Sequence, residues 1–219
     1  MNLRGLIAFP IAMIAGTSVA AFPDVSSQAA QDGLVAVHSR SLDEFYLRRD
    51  ANLAAYRKVM IDPVQVKFDK GWLKYARNVM RPVGEENVER IAEDIAADAQ
   101  ASISEAFRAR GLEIVGAPAP GVLRLSARVA DLYVNAPERP SPWIKNNFTR
   151  EAGQAVLLLE ARDSASDALL GRVVHRGKAL RMVRFTWTND ASNRIWFDAL
   201  IRDWAMNCAA ELQAGASRP

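Results

Sequence analysis

The sequence predicts a two-layer α+β domain, in which an antiparallel sheet of about four or five strands carries two long helices packed on one face. Two segments have the apolar periodicity of long helices, around residues 85 to 110 and 190 to 213. Between them, strand-like runs follow one another without an intervening helical pattern, which is typical of an antiparallel meander. We therefore expect both helices to cover the apolar side of one sheet.

The first long helix is predicted from the stretch VGEENVERIAEDIAADAQASISEAFRARG, where apolar residues recur at steps of three or four. These residues are Val88, Ile91, Ile95, Ala99, Ile103 and Phe107. Glutamates lie in the first turns and arginines in the last, as the helix dipole favours, and Gly111 is a stop signal. One apolar face is therefore available for packing on a sheet.

The second long helix is predicted near the C-terminus, where apolar residues again share one helical face. These residues are Leu200, Ile201, Trp204, Ala205, Cys208 and Leu212. Thr188, Asn189 and Asp190 precede them and carry side-chain oxygens that accept hydrogen bonds from free backbone N–H groups. We interpret Thr188, Asn189 or Asp190 as the helix cap rather than as part of a catalytic site.

The strands are predicted from alternation between apolar and polar residues. The run VLRLSARVADLYV alternates strictly at its start, QAVLLLEARD is nearly continuous in apolar residues, and the turn DSASDA leads into LLGRVVHRGKALRMV. An earlier strand, from Lys58 to Phe68, changes phase around Pro63. Because proline lacks a backbone donor, this change predicts a bulge or an edge position.

The N-terminus has the layout of a secretory signal peptide. Residues 1–20 combine a positive start, an apolar run too short to span a bilayer, and a small-residue exit, which predicts cleavage between Ala20 and Ala21. Residues 21–41 are small and polar with little periodicity, and we interpret them as a flexible leader. Residues 42–219 then form a single α+β domain. We expect no transmembrane segment after cleavage.

Composition excludes few functions but disfavours several. The formal net charge is +3, from 28 Lys plus Arg against 25 Asp plus Glu, which is too small to indicate nucleic-acid binding. The single cysteine, Cys208, cannot form an intramolecular disulfide, and we expect it to be a buried thiol on the last helix. We therefore expect no nucleic-acid partner. We also expect the fold to be stabilised by side-chain packing rather than by a disulfide.

The sequence contains no recognisable catalytic, cofactor or metal motif. It has neither of the common phosphate-binding glycine loops, no serine flanked by glycines, and no His or Cys pairs at metal-ligand spacing. His175 lies in a predicted strand, where a packed or surface role is the simpler interpretation. A catalytic carboxylate pair remains open among Asp62, Asp131, Glu160 and Asp163, because the fold decides their distances. We predict no catalytic residue, cofactor or metal.

One collective feature is a basic outer sheet face. Its predicted members alternate with apolar or small residues on two strands: Arg124, Arg128, Arg172, Arg176 and Lys178. A one-residue shift in register would bury these charges, so they must face outward or be paired. They form a candidate anion-binding face. The alternative is that they are solubilising charges, partly paired across strands as Glu160 with Arg172 would be.

Four stretches, taken together and in order, resemble a known family. They read SRSLDEFYLRRDANLAAYRKVMIDPVQVKF, LYVNAPE, EAGQAVLLLEARDSASDALLGRVV and NRIWFDALIRDWA. They resemble domain of unknown function 3313, a bacterial cell-envelope family whose members are typically exported, many as lipoproteins. The resemblance implies export and a single domain, and it brings no activity or site residues. This chain departs from the lipoprotein members because it has no cysteine at the end of the export signal.

We therefore expect an exported, non-enzymatic cell-envelope protein, periplasmic if the source is Gram-negative, that acts as an interaction or assembly module. Its expected partner is an unknown envelope protein or an anionic lipid surface. Two alternatives remain open: a carrier of a small apolar or lipidic ligand, and an enzyme of unrecognised type that uses carboxylates. A carrier needs an apolar cavity, an enzyme needs a cleft with converging polar groups, and an interaction module needs an exposed face.

Overall fold

The computed structural model of the chain describes residues 25–78, 85–134, 151–180 and 190–215. In these ranges the helices are α1 (Val25–Gln31), α2 (Lys70–Asn78), α3 (Glu85–Ala109) and α4 (Asp190–Gly215), with a short 3-10 helix at Leu53–Ala55. The strands are β1 (Leu34–Ala36), β2 (Glu44–Arg48), β3 (Lys58–Ile61), β4 (Gln65–Phe68), β5 (Glu113–Ile114), β6 (Val122–Val134), β7 (Glu151–Asp163) and β8 (Leu169–Leu180). None of the four helices described is both long and apolar enough to cross a membrane.

The eight described strands form one mixed sheet. Its order is β1-β2-β8-β7-β6-β3-β5, and β4 pairs with β6 further along that strand than β3 does. Each neighbouring pair is antiparallel in the part of the sheet that runs from β1 through β2, β8 and β7 to β6. Strands β3 and β4 run parallel to β6, and β5 runs parallel to β3. The predicted fold class, an antiparallel sheet of about four or five strands with two helices, is therefore wrong.

The parallel half of the sheet follows from the position of the helices in the chain. Strands β3 and β4 precede α2 and α3, and β5 and β6 follow them. A helical connection carries the chain back to the end of the sheet from which it came, so the next strand runs parallel to the previous one. The segment predicted as one strand, Lys58 to Phe68, is two strands that both lie against β6, and Asp62 N–H donates to the Leu125 carbonyl between them (2.9 Å).

The three longest strands, β6, β7 and β8, form a surface with two chemically different faces. Their register sets Leu125 opposite Ala161 and Leu159 opposite Val173, and all four side chains are buried with α3 and α4 in one core. We call this side the helix face and the opposite side, which carries Arg124, the outer face. The predicted alternation of buried and outward residues on β6 is thus confirmed, and buried and less buried residues also alternate on β7.

Helix α4 lies unusually close to the sheet. A Cβ at Gly153 would lie 2.5 Å from the ring of Phe197, and a Cβ at Gly177 would lie 2.6 Å from Leu200. Because any larger residue would meet these side chains, the two glycines set how closely α4 approaches β7 and β8. Helices α3 and α4 also pack against each other above the sheet.

The N-terminal part of the described chain adds a helix and a strand. We expected residues 21–41 to be a leader, but residues 25–36 contain α1 and β1, and β1 pairs with β2. Leu34 and Ala29 are buried in a small second apolar cluster with Tyr46 and Leu169. This burial explains why ordered structure is present by residue 25 rather than beginning near Leu42.

Candidate functional site

The outer face brings the predicted basic positions together. Strand register places them beside one another at even-numbered positions: Arg124 opposite Arg162, Arg128 opposite Leu158, Arg172 opposite Glu160, Arg176 opposite Val156 and Lys178 opposite Gln154. The side chain of Lys178 lies outside the described part of the chain. The other four side chains differ in burial and in partners, and these differences divide the face into two halves.

In the first half of the outer face, the arginines form ion pairs with carboxylates of the same chain. Arg124 Nε donates to both carboxylate oxygens of Asp62, at 3.0 and 2.9 Å, and the Ser126 hydroxyl donates to the same carboxylate. Arg162 Nη2 donates to Glu160 Oε2 at 3.0 Å. Each of these guanidinium groups is therefore partly neutralised by a carboxylate of the protein itself.

Arg172 is the buried centre of these ion pairs. Its side chain is 5% exposed, and its Nη2 lies 2.6 Å from Glu160 Oε1 and 2.8 Å from Asp32 Oδ2. Burial alone would raise the pKa of Glu160, but hydrogen bonds and charge from Arg172 and Arg162 outweigh it and lower this pKa. Asp32 belongs to the chain between α1 and β1, so Arg172 ties the N-terminal segment to the sheet. We call Asp32, Asp62, Arg124, Ser126, Glu160, Arg162 and Arg172 the locked half.

The second half of the outer face is more accessible. Tyr133 is 38% exposed, Gln154 and Arg128 are exposed, and Arg128 has no carboxylate partner among the described residues. Arg176 is exposed as well and pairs with Glu44 at 2.7 Å. We call Arg128, Tyr133, Gln154, Val156, Leu158 and Arg176 the open half. It combines an aromatic ring, guanidinium groups and aliphatic side chains, the composition found at the energetic centres of protein interfaces.

His175 and Cys208 lie on the helix face. His175 Nδ1 lies 3.3 Å from Asp43 Oδ2, and this oxygen accepts a hydrogen bond from the backbone N–H of Arg176 at 2.6 Å. Cys208 is buried, and this burial, together with the charge of Glu211, raises the pKa of its thiol well above the ordinary value. The prediction that Cys208 is a buried thiol is confirmed, and a thiol held protonated is a poor nucleophile.

Most of the carboxylates considered as a catalytic pair have structural partners. Asp62 and Glu160 belong to the locked half, and Asp163 accepts from the Tyr56 hydroxyl at 2.8 Å. Asp131 adopts a positive φ of 48°. Among the described residues, no group of three or more His, Cys, Asp or Glu side chains is arranged to hold a metal ion.

Sequence reasoning missed a cleft of about 340 Å³ at the end of the sheet where β2 and β7 end and β6 begins. Its walls come from separate segments: Arg48, Asp50, Ala51, Asn52, Ala55, Tyr56, Gly121, Asp163 and Leu170. Only the polar run RRDAN after β2 could have drawn attention to it, and that run reads equally well as a turn.

Several solved structures resemble the fold. The PelC dodecamer from Paraburkholderia phytofirmans is 13% identical, with a TM-score of 0.36 over 72% of this chain and 90% of that chain. A putative neuraminyllactose-binding hemagglutinin homolog from Helicobacter pylori is 13% identical, with a TM-score of 0.38 over 76% of this chain and 88% of that chain. A minor lipoprotein from Acinetobacter baumannii is 9% identical, with a TM-score of 0.36 over 73% and 94%. Values this low carry no information on function.

Sequence comparison identifies the family. No curated protein is significantly similar to this chain. The sequence model of the DUF3313 proteins, described as proteins of unknown function, matches residues 25–141, which is more than half of the chain. The chain therefore belongs to the DUF3313 family.

Proposed function

We propose that the protein is a non-enzymatic interaction module of the bacterial cell envelope, which docks a partner protein on the open half of its outer sheet face. The envelope location rests on the signal-peptide layout of residues 1–20 and on the resemblance to exported family members. In a Gram-negative source the compartment is the periplasm.

The main observation in favour of a docking role is the exposure of both Tyr133 and Arg128 on a sheet face that α3 and α4 do not cover. On the adjacent strand β7, Val156 and Leu158 are only half-buried. Aromatic and arginine side chains around aliphatic ones are enriched where a protein interface contributes most of its binding energy. A partner that covered this half would remove the remaining apolar area from water.

The locked half supports this role by holding the sheet rigid. Its ion pairs join β6 to the residue after β3, join β8 to β7, and through Asp32 tie β8 to the N-terminal segment. A surface whose backbone is already fixed loses little conformational entropy when a partner binds. The open half is therefore a preorganised surface.

Charge favours a protein partner over an anionic lipid surface. Arg124, Arg172 and Arg176 are each paired with a carboxylate of this chain, so their attraction for an external anion is weakened. Arg128 is the one predicted member whose described side chain lacks such a partner. The charge of Arg128, which is unpaired among the described residues, keeps anionic-surface binding as the second candidate function.

The experiment is affinity purification of the tagged protein from intact envelopes, with two matched double variants. Arg128→Ser with Tyr133→Ser removes the centre of the open half, whereas Arg202→Ser with Met206→Ser changes exposed side chains of α4. Loss of one interface hot spot commonly costs about 2 kcal/mol, so we expect the first variant to recover at least about tenfold less partner. Equal recovery by both variants would contradict the proposal.

A second arm tests the alternative. Arg124, Arg128 and Arg176 are replaced together by Ser, and retention on vesicles rich in anionic lipid is measured at low and moderate salt. We expect unchanged retention in a variant that still melts cooperatively. A loss of retention that is larger at low salt would support anionic-surface binding as the function instead of protein docking.

A further inference from the structure

The cleft at the end of the sheet has the size of a small ligand site. Its volume of about 340 Å³ is close to the lower limit for ligand pockets, roughly 300 to 1,000 Å³. It therefore suits a ligand about as large as one ring. Leu170 supplies an apolar part of the wall, and Tyr56 lines the cleft where the short 3-10 helix ends.

Three polar residues that line this cleft have side chains without a hydrogen-bond or ion-pair partner among the described residues. Arg48, Asp50 and Asn52 alternate along the segment that leaves β2, and none of their side chains has a partner within the described ranges. Asn52 precedes the 3-10 helix, where asparagine commonly caps, yet its side chain makes no capping hydrogen bond. Within the described part of the chain, all three side chains are therefore available to a ligand.

On the opposite wall of the cleft, the polar side chains of Tyr56 and Asp163 already form hydrogen bonds with other groups of the protein. The Tyr56 hydroxyl donates to Asp163 Oδ2 at 2.8 Å, and burial, followed by this hydrogen bond and the Asp163 charge, raises the pKa of Tyr56 to about 12. Asp163 Oδ1 accepts from the backbone N–H and the hydroxyl of Ser166, each at 2.8 Å. Tyr56 therefore stays a neutral phenol whose ring is held in one position.

The chemistry of the free groups indicates the ligand class. A guanidinium only donates, a carboxylate only accepts, and an amide does both, which together match neighbouring hydroxyl groups that each donate and accept. Asp50 and Asp163 outweigh the single positive charge of Arg48, so the cleft does not favour an anion. We propose that this cleft binds a neutral polyhydroxylated ring, a single sugar unit of an envelope glycan. The site is separate from the open half, and the proposal does not depend on the docking role.

Saturation-transfer NMR with the purified protein tests this site, using glucose, galactose and N-acetylglucosamine as separate probes. We expect millimolar binding of at least one sugar, as is usual for so small a contact. Asp50→Ala with Asn52→Ala should reduce the transfer at least about tenfold, and Arg128→Ala, on the open half, should leave it unchanged. Asn52→Asp alone is the milder second variant, and circular dichroism melting checks that each variant is folded.

Three results would overturn the sugar assignment. These are no transfer from any of the three sugars to the wild-type protein, equal transfer to the folded cleft variants, and displacement of amide resonances at residues 48–52 by inorganic phosphate alone. The open-half variant, Arg128→Ser with Tyr133→Ser, should bind sugar normally. Failure of the docking proposal and failure of the sugar site are therefore distinguishable.

Discussion

Replacing Arg172 by Met tests whether the locked half stabilises the fold. The substitution keeps much of the side-chain volume but removes the cation that contacts Glu160 and Asp32. Breaking a buried ion pair costs roughly 3 to 5 kcal/mol, because the remaining charge is left without its partner. Glu160 would retain Arg162, and Asp32 is 35% exposed, so we expect the lower end, about 3 kcal/mol.

Arg176→Met is the matched control. Arg176 lies on the same strand and the same face and pairs with Glu44 at 2.7 Å, but its side chain is 55% exposed, against 5% for Arg172. Exposed pairs contribute about 0 to 1 kcal/mol. Urea unfolding followed by tryptophan fluorescence gives both free energies of unfolding. Equal losses of unfolding free energy in the two variants would contradict the claim that burial makes the ion pairs of Arg172 more stabilising than that of Arg176.

The pH dependence provides an internal check on the same pair. The pKa of Glu160 is lower in the folded protein than its ordinary value, so folding favours the ionised carboxylate. This contribution is complete above the unfolded pKa, about 4.3, and disappears as the pH falls through the folded value. The difference in stability between wild type and Arg172→Met should therefore shrink below about pH 4. A difference that is constant with pH would indicate lost packing rather than a lost ion pair.

Three further predictions concern the core and the cleft. Tyr56→Phe should cost about 1 kcal/mol and should remove a tyrosine ionisation near pH 12 from the ultraviolet titration. Because the raised pKa favours the neutral phenol, the contribution of Tyr56 to stability is present below pH 10 and is lost as the pH rises towards 12. Gly153→Ala should cost about 1 to 3 kcal/mol in thermal unfolding because its Cβ would meet Phe197 and the Tyr133 carbonyl, whereas Gly116→Ala, which has open space, should be tolerated. Cys208 should react with iodoacetamide slowly in the native protein and rapidly in urea, and fast native labelling would contradict its burial.

The sequence predicts well where periodicity carries the information. Strict alternation on β6 correctly separates Leu125 from Arg124, and the repeating steps before Phe107 correctly predict α3. Even the pairing of Glu160 with Arg172 follows from the hairpin register, because opposite charges on one face attract. These features depend on residues near one another in the chain or joined by one turn.

The missed features depend on contacts that no local pattern encodes. Strand β1 has three residues, and its inclusion in the sheet rests on Leu34 packing in the second cluster and on Asp32 reaching Arg172. The parallel placement of β3 and β4 is decided by the crossover through α2 and α3, not by their own sequences. The cleft likewise brings together residues distant in sequence, such as Tyr56 and Asp163, which lie 107 positions apart in the chain.

A photocrosslinking amino acid placed at Gln154 tests the docking claim most directly. Gln154 is exposed and lies opposite Tyr133 in the open half, and the same probe at Arg202 of α4 is the control. Irradiation of intact envelopes should give one discrete protein adduct from position 154, absent from position 202 and lost when Tyr133→Ser is added. Equal adducts from both positions, or an adduct at 154 that survives Tyr133→Ser, would contradict a partner docked on this face.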